Sequence, residues 1–202
     1  MRSDLIKASK EYIESRRDLA TMTEMIPENV RILDLGCGTG LELNWYFHSN
    51  PTAKVTGIDL SRGMLAALRE KFLDRNLTLT CGSYFDIPFG ENAFDAAVSV
   101  ESLHHFTQDE KISLYARLCK ALKEGGYFIL TDYFARSDEE EQALFEELAR
   151  LKAEQDIIDD AFYHFDTPLT VQHETDALRA AGFSSVEVLN NWGATYTIKA
   201  MR

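Results

Sequence analysis

Residues 31–40 read RILDLGCGTG, an apolar run that passes straight into three glycines at alternate positions. Glycine loses more backbone freedom on folding than any other residue, so three together need a reason. The run 30–35 has the length and composition of a buried strand flanking Asp34, and the glycines form a turn after it. A helix is expected over 41–49, closed by Asn50-Pro51, and a second strand over 54–58 that delivers Asp59. Strand, glycine turn, helix and a second strand ending in an acid make a nucleotide-site layout. Absent side chains let the main chain approach a ligand, the helix start offers free N–H groups, and the acid accepts from ribose hydroxyls.

The alternation continues. Helices are expected over 61–74 and 109–122, with Gly125-Gly126 breaking the latter, and strands over 77–81, 94–100 and 127–132. Strands separated by helices imply right-handed βαβ units and a parallel sheet. The second half changes character. A long acidic helical stretch over 137–160 opens Ser-Asp-Glu-Glu-Glu, which suits the positive end of a helix dipole and reads as a solvated helix. A helix over 170–181 and two strands over 186–190 and 195–200, expected as an antiparallel pair, close the chain. A leading helical segment is expected over 3–24, ended by Pro27.

Bulk properties set the class. With 202 residues, 45% hydrophobic and 27% charged, the chain suits one globular domain with a real core. A net charge of -12 argues against a broad nucleic-acid face, which needs clustered Lys and Arg. Cys37, Cys81 and Cys119 are scattered without a CxxC pair, as expected of reduced thiols in a cytoplasmic protein. The first twenty residues lack the apolar block of a signal peptide, and no run approaches the roughly 18 apolar residues of a membrane helix.

The glycine spacing separates two chemistries. A dinucleotide fingerprint is GxGxxG and a P-loop carries a lysine. Here Gly36, Gly38 and Gly40 give GxGxG, preceded by Asp34 and without lysine. Five ordered motifs, LDLGCGTG at 33–40, GIDLSRGML at 57–65, CGSYFDIPF at 81–89, FDAAVSVESLHHF at 94–106 and LKEGGYFILTDY at 122–133, make the chain resemble the class I S-adenosylmethionine-dependent methyltransferases. The resemblance covers roughly residues 30–135, with the closing hairpin fitting as well, and it specifies the superfamily without a substrate.

That resemblance implies an α/β Rossmann-like fold: a doubly wound, mostly parallel seven-stranded sheet with a C-terminal antiparallel strand. The chain would be a single domain over 1–202, with an N-terminal helical segment at 1–26 and a helical cap at 136–168. It also implies S-adenosyl-L-methionine as cofactor. Gly36, Cys37, Gly38 and Gly40 would line its methionine part, and Asp34 would meet its amino group. Asp59 would hold the ribose, Leu60 and Met64 would pack on adenine, and Val100 and Glu101 would border the methionine moiety. Many relatives carry Gly-Asp-Ala at the adenine edge; here Gly82-Ser83-Tyr84 puts a hydroxyl where the acid stands, with Asp86 as the alternative acceptor. In relatives a leading segment closes over the cofactor, so Tyr12, Arg16 and Arg17 are candidates for its carboxylate, against the plainer reading of a surface helix.

Methyl transfer from a sulfonium is a direct displacement, so the protein mainly aligns, and a base is needed only where the acceptor must lose a proton. His104 and His105 after the fourth strand, and Tyr133 after the fifth, are the catalytic candidates. Tyr163-His164-Phe165-Asp166 is placed to cover the pocket. His104, His105, His164 and Asp166 have ligand chemistry, but their separation gives no metal-ligand spacing, so no metal is expected. The expected acceptor is a small molecule, neutral or cationic, with no nucleic acid and no membrane; a homodimer is compatible. The rival readings are a nicotinamide-dependent dehydrogenase, a methyltransferase-like module that holds cofactor without turnover, and another group-transfer enzyme using the same sulfonium.

Overall fold

The computed structural model describes residues 29–157 and 164–202. The expected leading helix, with Tyr12, Arg16 and Arg17, and also Tyr163, lies outside the described residues. In chain order the elements are β1 (Arg31–Leu35), α1 (Leu43–Ser49), β2 (Lys54–Asp59), α2 (Arg62–Lys71), β3 (Asn76–Cys81), β4 (Phe94–Val100), α3 (Gln108–Ala121), β5 (Leu122–Tyr133), α4 (Asp138–Glu154), α5 (Val171–Ala180), β6 (Ser185–Trp192) and β7 (Thr195–Met201). One sheet of seven strands has the order β3-β2-β1-β4-β5-β7-β6. Strands β1 to β5 pair in parallel, and β7 runs antiparallel between β5 and β6. The chain leaves β1 toward β2 and β3, then returns to β4 on the other side. Between β1 and β4 the strand order therefore reverses, and the carboxyl ends part into a crevice.

Strand β1 shows why the sheet is double-sided. Val30 and Ile32 join one apolar layer with Phe47, Val55 and Leu68. Leu33 and Leu35 join the other with Ile58, Tyr115 and Phe128. A strand buried on both faces reads as a continuous apolar run, as 30–35 does. Among the described residues no helix is long and apolar enough to cross a membrane.

Two expectations change. Gly125-Gly126 do not break α3. That helix ends at Ala121, and β5 starts at Leu122. The register against β4 slips between Phe94 and Ala96, so the pair of glycines forms an irregularity inside the strand. Gly126 is needed there because a Cβ would meet Lys123 O at 2.8 Å and Asp95 O at 3.0 Å. The acidic helix is shorter than expected, ending at Glu154, and none of its residues is buried.

Helix α4 is tied to α5 through one carboxylate. Glu141 accepts the Thr170 N–H at 2.5 Å and faces His173 Nδ1 at 2.9 Å. That hydrogen bond pushes the His173 imidazole above its ordinary value, against a smaller opposing effect of burial, with Asp138 and Asp176 adding to the rise. A group whose folded value is raised stabilises fully below its unfolded value, about 6.5, and loses that contribution as pH climbs through the raised one. Protection of the Thr170 amide against hydrogen exchange is therefore expected to be full below about pH 6.5 and to fall as pH climbs through the raised value. A flat protection factor from mild acid to mild alkali would show that the pair does not hold the junction.

Candidate functional site

The glycine turn sits at the carboxyl end of β1. Gly36, Gly38 and Gly40 have φ of 71°, 47° and 64°, all in the left-handed region. The turn is pinned to β2, because the N–H groups of Gly36 and Cys37 both donate to Ile58 O, at 2.9 and 3.2 Å. The two leading glycines serve different ends. A Cβ on Gly36 would stand 1.9 Å from Ser102 Oγ, so its absence lets the loop after β4 close against the turn. A Cβ on Gly38 would meet nothing nearer than Met64 Sδ at 3.8 Å and would occupy open cleft.

The cleft has a volume of about 400 Å³. The glycine turn forms one wall, and Asp59, Leu60 and Met64 form a second. Ser83, Tyr84, Val100, Glu101, His105 and His164 complete the lining. Asp59 is already engaged: Oδ2 accepts the Gly38 N–H at 2.8 Å and Oδ1 accepts the Ser61 N–H at 2.7 Å. The acid expected on a ribose thus also fastens the glycine turn, a role its position in the sequence did not signal. Leu60 and Met64 are exposed, at 59% and 47%, and offer the cleft an apolar surface.

Several candidates stand elsewhere than expected. Asp34 is only 1% exposed and lies behind the cleft wall. Burial, with Glu42 beside it and Asp59 adding to the effect, pushes its pKa well above the ordinary value. Among the described residues, Asp34 Oδ2 is buried without a hydrogen-bond partner. Glu42, which the sequence reading passed over, is the acid that lines the cleft; only its three-dimensional proximity to Asp34 marks it. Cys37 turns its thiol into the core, where burial pushes its pKa up. Ser83 Oγ accepts the Phe85 N–H at 3.1 Å. Tyr84 donates its hydroxyl to Ser102 O at 2.9 Å, bracing the far wall. Asp86 is exposed and off the cleft lining, so the alternative adenine acceptor is not at hand. Glu101 is exposed on the cleft wall, with φ 49° and its N–H donated to Thr131 O. Such a φ is sparsely populated outside glycine and stores strain where the strand ends.

The two histidines separate. His105 reaches the cleft wall; its Nδ1 donates to Phe165 O at 3.1 Å and its ring lies 4.6 Å from that of His164. Burial and the neighbouring His104 push its imidazole below the ordinary histidine value. His104 is buried behind it, with Nδ1 2.7 Å from Asp132 Oδ1. Tyr133 does not line the cleft; its ring stacks 4.0 Å from His104. The segment that brings in Asp166 is anchored by Thr167 N–H to His104 O at 2.9 Å. Residues 104–105, 132–133 and 164–166 thus converge beside the stretch of cleft that His105 and His164 line.

These features suit S-adenosylmethionine. The cofactor carries an ammonium, for which the acidic Glu42 side chain on the lining, with Asp34 behind it, is a complement. Its ribose matches Asp59, its adenine the apolar Leu60–Met64 face, and its main chain can lie where Gly38 leaves room.

Comparisons with known proteins agree with the geometry. Residues 32–126 match the family model described as a methyltransferase domain. The chain is 28% identical over 153 residues to 24-methylenesterol C-methyltransferase 3 of Arabidopsis thaliana, covering 71% of this chain and 42% of that protein. It is similar in fold to an S-adenosylmethionine-dependent methyltransferase from Mesorhizobium loti, with TM-score 0.67 and 21% identity over 93% of this chain and 97% of that one. It is also similar to Haemonchus contortus phosphoethanolamine N-methyltransferase 2 in complex with S-adenosyl-L-methionine, with TM-score 0.64 and 23% identity over 87% of this chain and 38% of that one. The chain spans less than half the length of the sterol relative, 42%.

Proposed function

Because the chain belongs to the class I S-adenosylmethionine-dependent methyltransferase superfamily, we propose that it transfers a methyl group from S-adenosylmethionine to a small-molecule acceptor held at the His105 end of the cleft. The observation that carries this reading is the meeting of three features on one cleft: the left-handed glycine turn, the Asp59 carboxylate and the buried Asp34–Glu42 pair. When bound, the cofactor supplies a methyl group on a sulfonium, open to direct displacement.

What the chain adds is alignment. The open face of the glycine turn and Glu42 receive the amino-acid end, Asp59 the ribose, Leu60 and Met64 the adenine face, and Ser83 with its neighbouring main chain the adenine edge. Val100 and Glu101 border the methionine part. His105 touches the acceptor, its ring fixed by the Phe165 carbonyl. His104 and Tyr133 act through it as positioning residues, stacked behind. On this reading the chain is one methyltransferase domain and 136–168 is its cap. The net charge of -12 disfavours a polyanionic acceptor. Cys37, Cys81 and Cys119 are free thiols, which supports a reducing, cytoplasmic setting.

Calorimetry should show S-adenosylhomocysteine binding and no NAD binding; the reverse would sink the proposal in favour of a dehydrogenase. With radiolabelled cofactor and a panel of small neutral and cationic acceptors, His105→Ala should lower transfer by about 100-fold, the scale of a misplaced reactant, while homocysteine-product affinity stays unchanged. Binding without transfer across a wide panel would favour a non-catalytic module.

A further inference from the structure

The structure assigns a divalent transition-metal site, of the zinc class, to His104, His105 and Asp166. Along the chain these residues are too scattered to suggest one; the fold brings a ligand atom of each within 4.8 Å of the others. Their arrangement has the parts of a catalytic-type site, with two imidazoles, one carboxylate and an open side.

The first support is orientation. Asp132 is buried and accepts two main-chain N–H groups, Leu103 N on Oδ2 at 2.9 Å and Tyr133 N on Oδ1 at 3.0 Å. His104 Nδ1 meets the same carboxylate at 2.7 Å, which aims the other ring nitrogen, Nε2, at Asp166 Oδ1, 3.4 Å away. A cation between the two would take a lone pair from each.

The second support is distance. His105 Nδ1 faces the same Asp166 oxygen at 3.3 Å. Both separations are long for a charge-assisted N–H···O bond, about 2.7–2.9 Å. Both match the edge of a tetrahedron built on bonds of 2.0–2.1 Å, which is about 3.4 Å. One metal ion would account for both edges. The Phe165 carbonyl now takes the His105 Nδ1 proton, and metal binding would move that proton to Nε2.

The third support is the surrounding shell. A ligating histidine characteristically donates its other N–H to a carboxylate, which fixes tautomer and ring plane. Asp132 does this for His104, and Tyr133 stacks on the ring at 31°. The open coordination position would lie on the cleft side, where His105 and His164 form the wall, and there it would bind an oxygen or nitrogen of an acceptor. The site stands on this geometry whether or not the cleft takes S-adenosylmethionine.

The test uses the full chain, freed of metal with a chelator, and Zn²⁺ or Co²⁺ alone. Zn²⁺ should bind with one equivalent per chain, and Co²⁺ should give the intense visible band of a low-coordinate N/O site. Asp166→Asn and His104→Gln should each weaken Zn²⁺ binding roughly tenfold or more, and Asp132→Asn by about 10–100-fold through lost orientation. Asp166 has a side chain 53% exposed, so its variant does not depend on the core surviving. S-adenosylhomocysteine affinity should be the same in wild type and Asp166→Asn, which separates this site from the cofactor cleft. Zn²⁺ binding to wild type no tighter than to Asp166→Asn, or Co²⁺ without its band, overturns the assignment; His104 would then be an imidazolium paired with Asp166.

Discussion

Glu174→Ala should lower the free energy of unfolding by about 3–5 kcal/mol, the cost of stranding a buried charge. Lys111 on α3 and Glu174 on α5 are 2% and 0% exposed, with Nζ and Oε2 2.6 Å apart. Tyr115, also buried, donates its hydroxyl to the other Glu174 oxygen. Removal of Glu174 leaves an ammonium and a phenol with no acceptor in the layer that covers one face of the sheet. Replacing both ends of the pair with apolar residues, Lys111→Met with Glu174→Leu, should recover most of the loss, because the pair's own net worth is small once desolvation is counted. Urea denaturation checks both, with an unchanged slope indicating that the unfolded state is not the source. A loss below about 1 kcal/mol for Glu174→Ala would mean that water reaches Lys111 and the burial is not real.

Asp59→Ala should weaken S-adenosylhomocysteine binding by about 1–3 kcal/mol, or roughly 5- to 150-fold, as charged acceptors are lost from the ribose. The structure adds a second effect. Because Asp59 also accepts the Gly38 and Ser61 amides, the variant should exchange the Gly38 amide hydrogen faster even without ligand. Asp59→Asn keeps one acceptor oxygen and should fall between the two. Calorimetry and hydrogen exchange read the two effects separately. Unchanged affinity in a folded Asp59→Ala variant would place the ribose elsewhere.

Local signals carried the sheet. The apolar run at 30–35, the glycine turn and the alternation up to Val100 are all contained in short windows, and β4 spans the residues expected of it. Where windows failed, the cause was three-dimensional. Gly125-Gly126 look the same in sequence whether they end a helix or kink a strand, and the slipped pairing with β4 decides it. Glu42 looks like any helix-start acid until Asp34 is found against it. His104 and His105 are adjacent and chemically identical, yet a strand end sends one toward Asp132 and the other to the cleft wall. Asp132 is, in the sequence, only the last residue of the strand expected over 127–132; its importance comes from Leu103 and His104, nearly thirty positions away. Nothing local marks Lys111, Tyr115 and Glu174, and only the packing of α3 on α5 brings them together.

Helix α4 is seventeen residues long and none of them is buried. Leu144, Phe145, Leu148 and Leu151 are half-buried, and Glu141 ties the helix to the start of α5; exposed polar contacts contribute little next to two apolar layers. Natural variation at the exposed positions of this stretch therefore meets little thermodynamic resistance. The excursion between β5 and α5 is the part of the molecule that can be rewritten most freely while the scaffold beneath keeps its shape, so diversification of what the protein accepts would be concentrated there.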